Sequence, residues 1–199
     1  MGQVPARLDS ICVFCGSSDA ADPSLLAAAA ELGRKLAAQD LKLIYGGGGV
    51  GLMGACAIAA HKAGGRVLGI IPDFLKDKER RLDVVETVTV TSMHERKMMM
   101  FEQSDGFVVL PGGIGTLEEI VELLSWRRLD LHAKPVVFYS PNGFWEPLFA
   151  LFQHTVDQKL TPPAFMSSWS SVDRVEDIVP ALRAGCPFPE TADSMSGVT

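Results

Sequence analysis

Several things are scarce in this 199-residue chain. There are four cysteines, and only Cys12 and Cys15 share a C-x-x-C spacing. With Cys56 and Cys186 far apart, no second pair exists to complete a structural zinc site. In SICVFCGSS the pair reads as part of a strand, where an odd offset sends side chains to opposite faces, so buried structural thiols in a reducing compartment are expected. No apolar run approaches the roughly 18 residues of a membrane span, and residues 1–10 (MGQVPARLDS) lack the apolar centre of a signal peptide. A cytoplasmic protein with no membrane partner is therefore expected. An excess of positive charge is also missing: 18 Lys and Arg stand against 24 Asp and Glu, a net charge of −6. Bulk nucleic-acid binding is disfavoured, and an anionic ligand would have to be held locally, by backbone amides or a few cations. Internal repeats, low-complexity blocks and linkers are absent too, so one domain is expected.

What is present alternates regularly. Apolar strand-like runs at 10–15, in LKLIYGGG, RVLGIIP, VVETVTVT, FVVLPGG and KPVVFYS are separated by helical patterns: 23–39, GLMGACAIAAHKAGG, MHERKMMMFEQS, TLEEIVELLSWRRLD, FWEPLFALFQHTVDQ and VEDIVPALRAG. Strands that are almost continuously apolar belong in a parallel sheet covered on both faces. The expected fold is α/β: a doubly wound parallel sheet, Rossmann-like, in a single domain over residues 8–185. Residues 186–199, rich in Pro, Ser and Gly, are expected to be a disordered tail. In such sheets ligands bind beyond the carboxyl ends of the strands, so the residues after each strand are the informative ones.

Three strand ends look suited to a ligand: Gly16-Ser17-Ser18, the run GGGGVGLMG from Gly46 to Gly54, and PGGIGT from Pro111 to Thr116. In the latter two, glycine lets the backbone approach a phosphate while the following helix offers unpaired N–H groups and a positive dipole end. Gly49-x-Gly51-x-x-Gly54 also matches a dinucleotide fingerprint, with Asp73 where a ribose-binding acid would fall, which raises an NAD-dependent oxidoreductase as a rival. It follows the second strand, however, rather than the first, and some of these glycines could serve only tight helix-on-strand packing.

Thr116 and Glu119 have the spacing of a capping box, with Thr116 as the N-cap and Glu119 reaching back to it. The other reading of Glu119 is catalytic. Leu117, Ile120, Val121 and Leu124 form the expected buried stripe of this helix, which leaves Glu119 free to face a cleft and puts Glu118 and Glu122 on a solvated side. The cluster His94-Glu95-Arg96-Lys97 opens another helix. It reads either as a surface helix start or, because Met98-Met99-Met100-Phe101 implies burial, as a rigidly held group whose Arg fork could grip a phosphate or a ribose oxygen.

Together, MHERK (93–97), PGGIGTLEE (111–119), YGGGGVGLMG (45–54) and CGSS (15–18) make residues 8–182 resemble the Lonely Guy (LOG) family of cytokinin riboside 5′-monophosphate phosphoribohydrolases. The resemblance implies hydrolysis of the N-glycosidic bond of an adenosine 5′-monophosphate, often N6-modified, to free base and ribose 5-phosphate. It implies a nucleoside 5′-monophosphate as small-molecule partner, no metal and no other cofactor, and a homodimer. Arg96 and Glu119 match the family's catalytic pair. Lys97, the stretch Gly113, Ile114, Gly115, Thr116, Leu117 and Glu118, and Ser125 fall where the family contacts substrate. Glu79 does so in a shifted register, because DFLKDKERRLDVVE departs from the family's usual sequence. An older family label, lysine decarboxylase, finds no lysine here in a cofactor-aldimine setting.

From the residues, Glu119 is the candidate to stabilise positive charge on the ribosyl ring, and Arg96 to orient substrate. The backbone of Gly113 to Thr116, the loop Gly46, Gly47, Gly48 and Gly49, and Ser17 are the candidates for binding the nucleotide. The alternative is a non-catalytic nucleotide-binding module in which Glu119 only caps its helix. Large side chains around Trp126 and at Phe144-Trp145 are either core or an association surface.

Overall fold

The computed structural model of the protein describes residues 8–185. Seven strands form one all-parallel sheet: β1 (Ser10–Phe14), β2 (Lys42–Tyr45), β3 (Val67–Pro72), β4 (Glu86–Val90), β5 (Gly106–Val109), β6 (Val136–Tyr139) and β7 (Ser170–Val172), in the order β4-β3-β2-β1-β5-β6-β7. The helices are α1 (Pro23–Ala38), α2 (Gly51–Lys62), α3 (Met93–Glu102), α4 (Ile114–Arg128), α5 (Glu146–Asp157) and α6 (Val175–Ala184). The tail expected to be disordered, 186–199, lies outside the described residues, as does Cys186.

The period-2 geometry of the strands divides the interior into two cores. Ile11, Val13, Leu43, Tyr45 and Val108 face α1, α2 and α6, where they meet Leu32, Leu36, Cys56, Ala57, Ile178 and Leu182. Their neighbours Cys12, Phe14, Ile44, Phe107, Val109 and Phe138 face the other way, onto Met100, Ile120, Leu123, Leu124 and Trp145. Cys12 and Cys15 accordingly fall in opposite cores, and burial pushes the thiols of Cys12, Cys15 and Cys56 up.

Winding starts at β1, moves out through β2 and β3 to β4, then returns through α3 to the other side of β1 at β5. The strand order therefore reverses between β1 and β5, and a crevice opens there at the carboxyl edge. The two loops at this point are stitched together by Gly16 N–H donating to the Pro111 carbonyl at 3.0 Å. The connection between β3 and β4 contains only a one-turn 3₁₀ helix, Asp73–Leu75, followed by irregular chain.

Strand β7 went unforeseen because SSV is short and polar; it is an edge strand, where little apolar pattern is required. The aromatic surplus is mostly core: Trp145 is 3% exposed, and Phe138, Phe149, Phe152, Phe165 and Trp169 form a continuous set of ring contacts. Trp126 packs edge-on against Phe101.

Small residues let α1 and α2 approach closely. A Cβ on Gly33 would lie 3.0 Å from the Ala60 nitrogen and collide with the Cys56 carbonyl oxygen. Gly33→Ala gains about 1 kcal/mol of helix propensity but overpacks a backbone-to-backbone contact, which costs about 1–3 kcal/mol. We expect the variant to have a lower urea midpoint than the parent. An equal or higher midpoint would mean that α1 can withdraw from α2 at no cost.

Candidate active site

The crevice at the β1/β5 switch point is a cavity of about 620 Å³. Ser17 and Ser18 line it from the loop after β1, Glu79 from the β3–β4 connection, Arg96 from α3, and Gly113 to Thr116 with Glu118 and Glu119 from α4.

Two of the helix N-termini at this crevice follow glycine runs, and they differ. At α4 the chain enters through Gly113, which provides no side-chain cap. The first N–H of the turn to find a partner is that of Leu117, bonded to the Gly113 carbonyl at 3.0 Å. Among the described residues the amides of Ile114, Gly115 and Thr116 have none, and Gly113 and Gly115 border open space. Free amides and the positive end of a 15-residue helix favour an anion here. The capping box is not formed: α4 begins two residues before Thr116, whose side chain is buried against Gly112 inside the first turn. The glycines explain the error, since Gly113 and Gly115 delayed the expected start although Gly115 is helical.

At α2 the first two of the corresponding amides are already used. Gly51 N–H donates to Asp19 Oδ1 at 2.9 Å, and Leu52 N–H to the Gly16 carbonyl at 3.0 Å. Gly49 N–H donates to the carbonyls of Glu79 and Arg80 at 2.8 and 3.0 Å. Gly46, Gly47 and Gly48 are buried and Gly49 half-buried; none of the four lines the cavity. The expectation that Gly46 to Gly49 binds phosphate is thus corrected: this loop supports the site from beneath. A Cβ on Gly54 would strike the Gly49 carbonyl, so the dinucleotide-like spacing here serves packing.

The loop's main contribution is to Arg96. Ser92 caps α3 by accepting the Glu95 N–H at 3.1 Å, and Glu95 reaches back to the Thr91 N–H and hydroxyl, both at 2.8 Å. Arg96 therefore sits at a fixed point of the first turn, only 4% exposed. Its Nε donates to the Ile70 carbonyl at 3.2 Å and its Nη2 to the Gly46 carbonyl at 2.7 Å, with Glu79 Oε2 3.4 Å from Nη2. Among the described residues Nη1 meets only the Met93 sulfur, at 3.9 Å. That edge of the guanidinium is available to a ligand.

Glu119 is half-buried beside this group. Desolvation pushes its carboxyl up to about 7; Arg96 opposes the shift, and Glu118 and Glu79 add to it. Desolvation likewise raises Glu79, again opposed by Arg96. One buried cation thus stands between two carboxyls whose protons are held more tightly than usual.

The remaining expected residues are divided. Lys97 does not itself line the cavity and pairs with Glu118 and Glu122 at 2.5 and 2.7 Å, so these two glutamates form an ion-pair clamp between α3 and α4 instead of a merely solvated face. Leu117 packs into the core beneath α4 and does not line the cavity, and Val121 is 46% exposed, its expected place in the stripe being taken by Leu123. Ser125 is exposed about three turns along α4 and donates to the Val121 carbonyl at 2.7 Å, outside the crevice. Met53, Leu75 and Met93 line the cavity without having been anticipated. Met53 lies within the GGGGVGLMG run, but nothing in the irregular segment around Leu75 marked it. Among the described residues no group of three or more His, Cys, Asp or Glu side chains gathers as a metal site.

Known proteins resemble this chain in sequence and in fold. The sequence profile of a family described as "Possible lysine decarboxylase" matches residues 53–182. The chain is 44% identical over 183 residues to "Probable cytokinin riboside 5′-monophosphate phosphoribohydrolase LOGL9" of Oryza sativa subsp. japonica, covering 92% of this chain and 81% of the relative. It is 40% identical over 185 residues to "Cytokinin riboside 5′-monophosphate phosphoribohydrolase LOG5" of Arabidopsis thaliana, with coverage of 92% and 81%. Among solved structures, the molybdenum cofactor carrier protein of Chlamydomonas reinhardtii superposes with a TM-score of 0.68 at 22% identity, over 89% of this chain and 98% of that one. That likeness is one of fold alone.

The raised carboxyl of Glu119 has a consequence for stability. Below pH about 4.5, its ordinary value, the group is protonated in both the folded and unfolded chains. Between about 4.5 and 7 the unfolded chain loses that proton first, so stability falls as pH rises, and the full penalty is present above about 7. Glu119→Gln removes the penalty. We expect the variant to be more stable than the parent by about 2–3 kcal/mol at pH 8 and equal to it at pH 4. Urea unfolding at the two pH values checks this, and a pH-independent difference would contradict it.

Proposed function

The chain belongs to the Lonely Guy family of cytokinin riboside 5′-monophosphate phosphoribohydrolases, and from that premise we propose that its crevice hydrolyses the N-glycosidic bond of an adenosine 5′-monophosphate, N6-modified or plain. Water gives its hydroxyl to C1′ and its other proton to the base, the C1′–N9 bond breaks with its electron pair going to the base, and the products are the free base and ribose 5-phosphate. The observation that carries this reading is the pairing of an open anion-binding helix end with Arg96 and Glu119 in one cavity. A site built only to hold a nucleotide has no need of a carboxyl raised to about 7 next to a buried guanidinium.

In this reading the 5′-phosphate is held by the amides of Ile114, Gly115 and Thr116, with the Ser17 and Ser18 hydroxyls on the facing wall. The free Nη1 edge of Arg96 and the Glu79 carboxylate orient the ribose. Ionised Glu119 stabilises the positive charge that builds on the ribosyl ring as the bond to the base lengthens. Arg96 does not supply a proton, because its guanidinium stays charged. Among the described residues the cavity lining contains no lysine, so decarboxylation through a lysine aldimine has no residue there to carry it.

The test is to incubate the purified protein with AMP and with N6-isopentenyl-AMP and to quantify base and ribose 5-phosphate. Glu119→Gln is expected to lower kcat by about 100-fold or more while remaining folded. Adenosine is expected to react at least about 100-fold more slowly than AMP, since it lacks the group that positions the bond. For AMP, kcat/KM is expected to rise with pH through about 7 as Glu119 ionises. Tight AMP binding without cleavage of either nucleotide would instead favour a sensing module.

The same reading includes a cytoplasmic homodimer. Supporting the dimer, Val121, Leu129 and Leu131 on and just beyond the outer side of α4 are 46%, 59% and 66% exposed. Supporting the compartment, Cys12, Cys15 and Cys56 are free thiols, and among the described residues no helix is long and apolar enough to cross a membrane. Sedimentation should give twice the 21.4 kDa chain mass, and Leu129→Glu with Leu131→Glu should give the chain mass itself. A dimer unaffected by both changes would place the interface elsewhere.

A further inference from the structure

Glu79 reaches the crevice from the least regular part of the fold, the connection between β3 and β4. Four of its charged side chains pair among themselves: Lys76 with Asp73 at 2.7 Å, and Arg81 with Asp83 at 2.6 Å. Among the described residues only two of its charged side chains make ion pairs outside the segment. One is Glu79, to Arg96; the other is Arg80, whose Nη2 pairs with Asp19 Oδ2.

Asp19 is already engaged. Its Oδ1 accepts the Gly51 N–H at 2.9 Å, tying the loop after β1 to the first turn of α2. Gly51 adopts φ +56 and lies so close beneath Ser17 and Ser18 that a Cβ there would sit 2.6 Å from the Ser17 carbonyl carbon. A single carboxylate therefore fixes the Ser17–Ser18 wall of the cavity with one oxygen and grips the Glu79 segment with the other. Arg80 itself holds φ +46, a left-handed conformation that a side-chain-bearing residue adopts only when its surroundings require it. The backbone of the segment is docked beside this pair, through the Gly49 N–H to the Glu79 and Arg80 carbonyls and an antiparallel bridge between Gly48 and Arg81.

We propose that Asp19 is a positioning residue: its pair with Arg80 latches the Glu79-bearing segment over the crevice and couples that segment to the Ser17–Ser18 wall. The proposal rests on the functional reading above for its kinetic consequences, but not for its structural ones. Both partners are well exposed, 65% and 62% at their side chains. An exposed pair adds little net stability, so the latch opens easily and suits a strap that must admit substrate and release base. A nucleotide touching Ser17 and Ser18 on one wall and Glu79 on the other binds the closed arrangement preferentially and shifts the population towards it.

The segment carries its own probe, since Lys76, Lys78, Arg80 and Arg81 are trypsin sites. Asp19→Asn keeps an oxygen for the Gly51 N–H, removes the charge facing Arg80, and leaves every trypsin site in place. With the full chain, brief trypsin treatment read by mass spectrometry should show cleavage within 76–81 at least about 5-fold faster in Asp19→Asn than in the parent, with cleavage elsewhere unchanged. AMP should slow this cleavage in the parent more than in the variant. In AMP hydrolysis the variant should lose about 5- to 20-fold in kcat/KM, and in a Glu79→Gln background it should lose less than about 2-fold more. Equal cleavage rates in parent and variant would overturn the latch, as would losses that add independently with Glu79→Gln. If the parent hydrolyses no nucleotide, the functional reading fails, while the trypsin comparison without AMP still decides the latch.

Discussion

A buried guanidinium is the constraint on which the crevice depends. Arg96 is almost wholly removed from water, and such a charge persists only where hydrogen-bond acceptors replace the lost solvent. The carboxyl edge of the sheet provides them where β2 stops short of β3: the β2–β3 pairing ends at Tyr45 and Gly69. The carbonyls of Ile70, next along β3, and of Gly46, just beyond β2, serve in this way. The residue at 46 has to be glycine for a steric reason: a Cβ would occupy the place of the guanidinium and press on the Met53 sulfur. The fixed Arg96 then holds Glu79 at 3.4 Å and opposes the desolvation of Glu119, so both carboxyls owe part of their charge state to it.

The contrast between α2 and α4 follows from what each glycine run must accommodate. At α2 the chain packs its own loops onto the helix start, using Asp19, the Gly16 carbonyl and the 79–80 carbonyls as partners. At α4 nothing from the described chain fills that position. Two loops that look alike as glycine patterns are therefore a closed support and an open receptor, and only the second can lend its dipole to an anion. The Lys97 clamp onto Glu118 and Glu122 keeps α3 and α4 in register, and with them Arg96 and Glu119.

The order of strands and helices was legible because a parallel sheet needs apolar strands and helices of period 3.6, and both periods survive in this sequence. Strand β7 was not, since SSV at an edge carries neither signal. For the site, the resemblance and the residues together pointed to Arg96, Glu119, Glu79 and the Gly113 to Thr116 turn, and these do converge on one cavity. Gly46 to Gly49, Leu117, Lys97 and Ser125 do not line it. The reasons are physical: a glycine run shows that close approach is needed, but not whether the approaching atom is a phosphate or the protein's own carbonyl. Likewise Glu119 and Thr116 have the spacing of a capping box, yet the helix begins earlier because Gly113 can enter it without a side-chain cap. Asp19 stood in plain view beside Ser17 and Ser18, but its partners Gly51 and Arg80 are 32 and 61 residues away, a distance no local pattern spans.

The charge balance of the crevice is consistent with the proposed chemistry. Arg96 with Glu79 and Glu119, both ionised, would carry a net −1, and Lys97 with Glu118 and Glu122 another −1. A dianionic phosphate entering such a place would not be attracted by net charge; in the proposed reading it is held by uncharged amides and a helix dipole, whose strength does not depend on pH. Its arrival adds to the negative potential around Glu119 and tightens that carboxyl's hold on a proton. Protonation of Glu119 and occupancy by phosphate therefore favour one another, while stabilisation of a cationic ribosyl ring requires the carboxylate. The conflict is resolved within the reaction itself: as positive charge develops on the sugar the proton affinity of Glu119 falls, so the group becomes an anion most readily at the moment when an anion is needed.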